Sequence, residues 1–179
     1  MIKRIADLPW TIPGGLILDP YAGRKLWWKG LNTTNIVFVD RYVISPGMIK
    51  ANVINLPFHN EQFAVVFADP PHFIRRSPFS ATCRLKHFGA YPNRTAIHVE
   101  WTLAAAELHR VTKPKAIMVW KSIDGAKTHD QCVNDDDLVC LTDWWSLTDK
   151  IKQPSRVPWS SAQTVFTLWS RRDLVKNET

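Results

Sequence analysis

Phe63-Ala64-Val65-Val66-Phe67-Ala68-Asp69-Pro70-Pro71-His72-Phe73 is the stretch on which the reading of the fold turns. Its first six residues are apolar, with Val and Phe prominent, which suits a strand covered on both faces, as in a parallel sheet packed between helices. The strand must end at Asp69, because Pro70 and Pro71 have no N–H for a ladder and hold the chain extended. What remains is a stiff rim of acceptors: the Asp69 carboxylate and a prolyl carbonyl. Such a rim suits an exocyclic amino group, which offers two N–H donors to two acceptors. Gripping an amine in this way draws its nitrogen from planar toward tetrahedral and frees the lone pair for attack. Taken alone the stretch is also an ordinary strand exit, so the rest of the chain has to decide.

Similar apolar runs stand at 16–18, 36–39, 116–120 and 164–169. The best helix is 95–110, where Ile97, Trp101, Ala104, Ala105 and Leu108 fall on one stripe. Val99 and Leu103 lie off that stripe and lead to the expectation of a helix buried over a broad arc. Lys113-Pro114-Lys115 ends the helix and opens the next strand. Strands alternating with helices or loops predict an α/β fold: a mainly parallel, Rossmann-like sheet with helices on both faces and an antiparallel last strand at 164–169. Only about 17 residues separate the first strand from the second, so at least one covering helix is short or absent. Residues 73–93 carry no period and read as a long substrate-side loop. Residues 133–145, inside the ambiguous stretch 128–158, fit a helix or a strand equally.

With 179 residues the chain is expected to be a single domain, its core at about 16–171. Its 23 Lys and Arg against 16 Asp and Glu give a net charge of +7, which favours a polyanionic partner, although solubility alone explains such a surplus. Nine Trp against three Tyr add material for stacking surfaces. The longest apolar runs, about six residues, fall far short of the roughly 20 of a membrane span. No signal-peptide core follows Met1, and the three cysteines have no CxxC spacing. A soluble, cytoplasmic protein with reduced thiols is therefore expected. No HExxH or paired His spacing suggests a metal, and no nucleophile elbow suggests a hydrolase.

Two further segments stand at expected strand ends, where open α/β sheets take their ligands. Asp19-Pro20-Tyr21-Ala22-Gly23 is a glycine turn that lets backbone approach a ligand, or simply a structural turn. Asp40, about 20 positions further on and followed by Arg41, is placed to accept from ribose hydroxyls, or to cap its strand in solvent.

Taken together, these blocks resemble the class I S-adenosylmethionine-dependent methyltransferases. More narrowly, Asp69-Pro70-Pro71-His72 resembles the D/N-P-P-Y/F/W motif of the amino-methylating group, to which DNA N6-adenine and N4-cytosine methylases and several RNA methylases belong. The likeness extends over about 16–171, through the cofactor loop, the acidic strand end, the run 51–58 and the 107–121 helix, turn and strand. It implies S-adenosyl-L-methionine as cofactor, its methionine part over Asp19–Gly23 (Asp19, Pro20, Tyr21, Ala22, Gly23), its ribose at Asp40 and Arg41, and its adenine between Asn52 and Val53. It implies that Asp69 and the Pro70 carbonyl, stiffened by Pro71, hold the target amine, with His72 or Phe73 stacking on the base. The base has to be unpaired or flipped out.

Three departures from the pattern stand out: Arg24-Lys25 follow Gly23 where a second Gly is usual, His72 replaces an aromatic, and Asn52 stands where Asp is common. Arg75, Arg76, Arg84 and Lys86, interleaved with aromatics, suit a strand of DNA or RNA, phosphates to cations and bases to rings, or else form a solvated loop. Lys121 either approaches the same rim or caps its strand in solvent. Trp27-Trp28 and Trp144-Trp145 read as core-plus-boundary pairs or as stacking platforms. The expected function is transfer of a methyl group to an exocyclic nucleobase amine. Two alternatives stay open: a small-molecule or protein N-methyltransferase, and a degenerate fold that binds nucleic acid or supports a partner. No separate target-recognition unit is expected in a domain of this size, so sequence specificity would call for a homodimer, a partner subunit or an unpaired substrate.

Overall fold

A computed structural model of the chain describes residues 5–42, 45–71, 74, 91–124, 135–154 and 163–173. Seven strands form one sheet: β1 (Ile17–Asp19), β2 (Ile36–Asp40), β3 (Met48–Lys50), β4 (Phe63–Ala68), β5 (Thr112–Asp124), β6 (Trp145–Pro154) and β7 (Gln163–Arg171). Their spatial order is β3-β2-β1-β4-β5-β7-β6. The first five pair in parallel, while β7 runs antiparallel to both β5 and β6. All five apolar runs are strands, and the last of them is antiparallel and lies inside the sheet, between β5 and β6.

Side chains of β4 alternate as a strand covered on both sides should: Val66 and Ala68 join one core, Val65 and Phe67 the other. The first core is roofed by α1 (Arg94–Val111). Its N-terminus is capped by Asn93, whose Oδ1 accepts from the Ala96 N–H at 2.9 Å. Its stripe of Ile97, Trp101, Ala104, Ala105 and Leu108 is fully buried, and Trp101 meets Trp120 of β5 edge to face at 5.0 Å. The broad arc of burial expected for this helix is not found: Val99 and Leu103 are 56% and 48% exposed. The sheet meets one stripe only, and no other described element covers the flank. At the far end Lys115 adopts a left-handed φ of 63°. There the pairing with β4 jumps from Phe63↔Thr112 to Val65↔Ile117, so Lys113-Pro114-Lys115 is an irregular insert at the start of β5.

The opposite face is covered more thinly, which accounts for the tight spacing. Single 3-10 turns at Ile5–Asp7 and Leu26–Trp28 do the work of helices there. Within Trp27-Trp28 only Trp28 is buried, and Trp27 is half-buried; in the second pair Trp145 is buried and Trp144 half-buried. The indole N–H of Trp145 donates to the Ala105 carbonyl of α1 at 3.1 Å. The ambiguous stretch resolves, in its described part, into a 3-10 segment (Asp135–Leu141) and β6. Of the described residues, no helix is long and apolar enough to cross a membrane.

Candidate active site

From β1 the chain steps outward to β2 and β3, then returns to place β4 on the other side of β1. The crevice beyond the carboxyl ends of strands at such a reversal is where open α/β sheets bind ligands. A cavity of about 600 Å³ lies there, inside the roughly 300–1,000 Å³ range of small-molecule sites. Asp19, Pro20, Tyr21, Ala22, Gly23, Asp40, Arg41, Asn52, Val53, Asp69, Pro70, Pro71 and Lys121 all line it. Of the other site residues read from the sequence, His72, Phe73, Arg75, Arg76, Arg84 and Lys86 lie outside the described residues.

The exit of β1 is built around a buried carboxyl. Asp19 accepts from the Trp28 indole N–H at 2.7 Å and from the Tyr21 backbone N–H at 3.2 Å. Burial pushes its pKa up to about 7, against the opposing pull of those two hydrogen bonds; the nearby Asp69 and Asp40 charges add to the rise. The chain then turns at Gly23, whose φ of 49° favours a residue without a Cβ. The Gly23 N–H donates to Asp40 at 2.8 Å, and the Tyr42 N–H donates to the other oxygen of the same carboxylate at 2.7 Å. Asp40 thus staples the β1 loop to the β2 loop. A carboxylate has about four acceptor sites, so these two bonds do not by themselves bar a ligand hydroxyl.

The two basic residues after Gly23 part company. Lys25 takes a left-handed φ of 55° and sends its ammonium over the Phe38 ring, 4.5 Å from its centroid, to the Pro46 carbonyl at 3.2 Å. It does not line the cavity. Arg24 does, as an exposed residue, beside Leu26 and Trp27.

The third strand end carries an ion pair that neither residue signals alone. Ala68 of β4 is in register with Trp120 of β5, so Asp69 and Lys121 stand one step further on adjacent parallel strands. Their side chains meet at 2.6 Å, Lys121 Nζ to Asp69 Oδ2. Lys121 therefore reaches the rim and does not simply cap its strand in solvent. Its ammonium also lies 5.1 Å from the centre of the Trp27 ring, which itself packs on Phe166 of β7. Comparing the ends of the two apolar runs 63–68 and 116–120 would have revealed the pair, had their register been known.

The far wall is contributed by the start of α1 and was missed from sequence. Glu100 accepts from the Tyr91 hydroxyl at 2.8 Å and lies 3.7 Å from the Arg41 guanidinium. Tyr91 itself is buried. Asn52 turns its Oδ1 toward the Ile54 N–H at 3.4 Å, and Val53 is buried beside it. The Tyr21 hydroxyl is buried at the cavity and has no hydrogen-bond partner among the described residues. An acidic strand end, an amide turn, a close-approach backbone loop and an orphaned hydroxyl around a space of this size fit a nucleoside-bearing ligand.

The sequence matches no protein-family model and no curated protein. Solved structures do match in three dimensions. A geranyl diphosphate methyltransferase in complex with GPP and sinefungin superposes with a TM-score of 0.58 at 11% identity, over 93% of this chain and 76% of that one. The 1,6-didemethyltoxoflavin-N1-methyltransferase of Burkholderia thailandensis gives 0.56 at 12% identity, over 88% and 71%. A possible histamine N-methyltransferase from Thermotoga maritima gives 0.56 at 10% identity, over 90% and 84%. Sheet order, the interior antiparallel strand and these likenesses define the fold as that of the class I methyltransferases. At such identities the likeness is one of fold.

Proposed function

We propose that the chain is an S-adenosylmethionine-dependent N-methyltransferase of the amino-methylating group, acting on an exocyclic amino group of a nucleobase in DNA or RNA. The observation that carries this reading is that Asp69, Pro70 and Pro71 face the same cavity as Asp19–Gly23, Asp40 and Asn52. A nucleoside-bearing cofactor and an amine-holding rim thus have one space in common. In this reading Asp40 accepts from the ribose, Asn52 and Val53 flank the adenine, and the Asp19–Gly23 backbone underlies the methionine part. Bound there, the cofactor supplies an activated methyl group. Asp69 and the Pro70 carbonyl hold the two N–H donors of the amine and direct its lone pair. Holding the amine in line is where such a site gains most of its rate. The nitrogen sheds a proton only after its new bond forms, so no strong base is needed.

Incubating the protein with methyl-labelled cofactor and, separately, DNA, tRNA and rRNA, followed by nucleoside analysis, tests the reading. Label in an N-methylated base supports it. A second reading, methylation of a small molecule, is favoured by the small-molecule methyltransferases among the structural likenesses. It predicts activity indifferent to added nucleic acid and nearly independent of salt, whereas a polyanionic substrate makes activity fall steeply with salt.

A further inference from the structure

We propose that Lys121 is a charge filter: it lets a neutral, conjugated amine reach Asp69 and turns away a protonated aliphatic ammonium. The inference rests on the amine-methylating reading above and names the class of amine that the site takes. Lys121 is held in place from several sides. Its Nζ is 2.6 Å from Asp69 Oδ2, and it lies 5.1 Å from the centre of a Trp27 ring that is itself packed on Phe166. Both members of the ion pair are largely covered, with side chains 20% and 28% exposed.

A donor that hydrogen-bonds Asp69 at about 3 Å comes to rest roughly 4–7 Å from this ammonium. If that donor is itself a cation, repulsion at an effective dielectric of about 20 makes its binding weaker, by something on the order of a hundredfold, than at the same Asp69 without the Lys121 charge. The other carboxylates of the cavity, Asp19, Asp40 and Glu100, bear equally on proteins that differ only at Lys121, so a difference between such proteins reads the Lys121 charge alone. An aliphatic amine, with a pKa near that of Lys (about 10.4), enters as an ammonium. An exocyclic amine on an aromatic ring is neutral because its lone pair is delocalised, and it presents to Asp69 only the N–H donors the pair leaves room for.

Calorimetric titration with histamine and with 2′-deoxyadenosine tests the filter, on the protein alone and again with saturating S-adenosylhomocysteine. The proteins compared are the wild type, Lys121→Met, which keeps the stem on Trp27 and loses the charge, and Lys121→Arg, which keeps the charge. Histamine should bind Lys121→Met at least tenfold more tightly than the wild type or Lys121→Arg, while 2′-deoxyadenosine changes by less than threefold. Equal histamine affinity in the wild type and Lys121→Met overturns the inference, and so does undetectable histamine binding in both. Lys121→Gln replaces Lys121→Met should the latter not fold. Failure of the wild type to bind S-adenosylhomocysteine contradicts the proposed function instead, and the histamine comparison on the protein alone is still read.

Discussion

Asp19 concentrates the chemistry of the cavity in one side chain, and its consequences are measurable without any substrate. Its carboxyl is pushed up by burial to about 7 from an ordinary 3.8. The folded chain therefore binds this proton more tightly than the unfolded chain does. The associated stability is full below about pH 4 and is lost as the pH rises through about 7. Thermal melts from pH 4.5 to 8 should show Asp19→Asn gaining stability relative to the wild type as the pH increases. A constant difference across that range would mean that Asp19 is not the buried acid described. Trp28→Phe removes the indole that donates to Asp19 at 2.7 Å and should cost about 1–3 kcal/mol in chemical denaturation, as for a buried acceptor deprived of its donor. At this scale much was legible. Asp19, Asp40 and Asp69 each follow an apolar run, and all three face one cavity. The Trp28 bond and the Lys121 pair were hidden, because each joins residues whose proximity depends on how the elements dock.

Among the elements, strands buried on both faces announced themselves through continuous apolar runs, and α1 through its stripe. β3 and β6 did not, and both are edge strands. β6 reads Trp-Ser-Leu-Thr-Asp-Lys-Ile-Lys-Gln-Pro, with most side chains exposed or half-exposed and a bulge between Leu147 and Asp149. Charges, an edge proline and a bulge are how an edge avoids pairing with another chain, and they erase the apolar pattern that reveals a strand. The exposure of Val99 and Leu103 was missed for the converse reason: apolar residues on a helix do not say whether anything covers them. Two substitutions test the local account. Asn93→Ala removes the cap of α1 and should cost about 1 kcal/mol in chemical denaturation. Gly15 sits at φ +128°, where an added Cβ would lie 2.9 Å from that of Ala64. Gly15→Ala should cost at least about 1 kcal/mol more than Gly14→Ala, whose added Cβ has nothing within 4 Å.

Across the whole molecule, the parallel order that reverses beside β1 brings three acidic strand ends and Lys121, which lies within β5, to a single cavity. In the proposed reading a cofactor bound there would tie the loops of β1, β2 and β3 together. S-adenosylhomocysteine at about a hundred times its dissociation constant should accordingly stabilise the fold by roughly 2.7 kcal/mol. Of the basic residues behind the surplus of +7, Arg24, Arg41 and Lys121 line the cavity. The central claim is that Asp69 holds an amine for methylation and does not hold the cofactor. Its most direct test is single-turnover transfer of labelled methyl to nucleic acid by the wild type and Asp69→Ala, with S-adenosylhomocysteine affinity measured on both. The account predicts a loss of transfer of at least about a hundredfold in Asp69→Ala, as for removal of one positioned polar group, with cofactor affinity changed less than threefold. Transfer undiminished in Asp69→Ala, or lost only in proportion to cofactor binding, would contradict it.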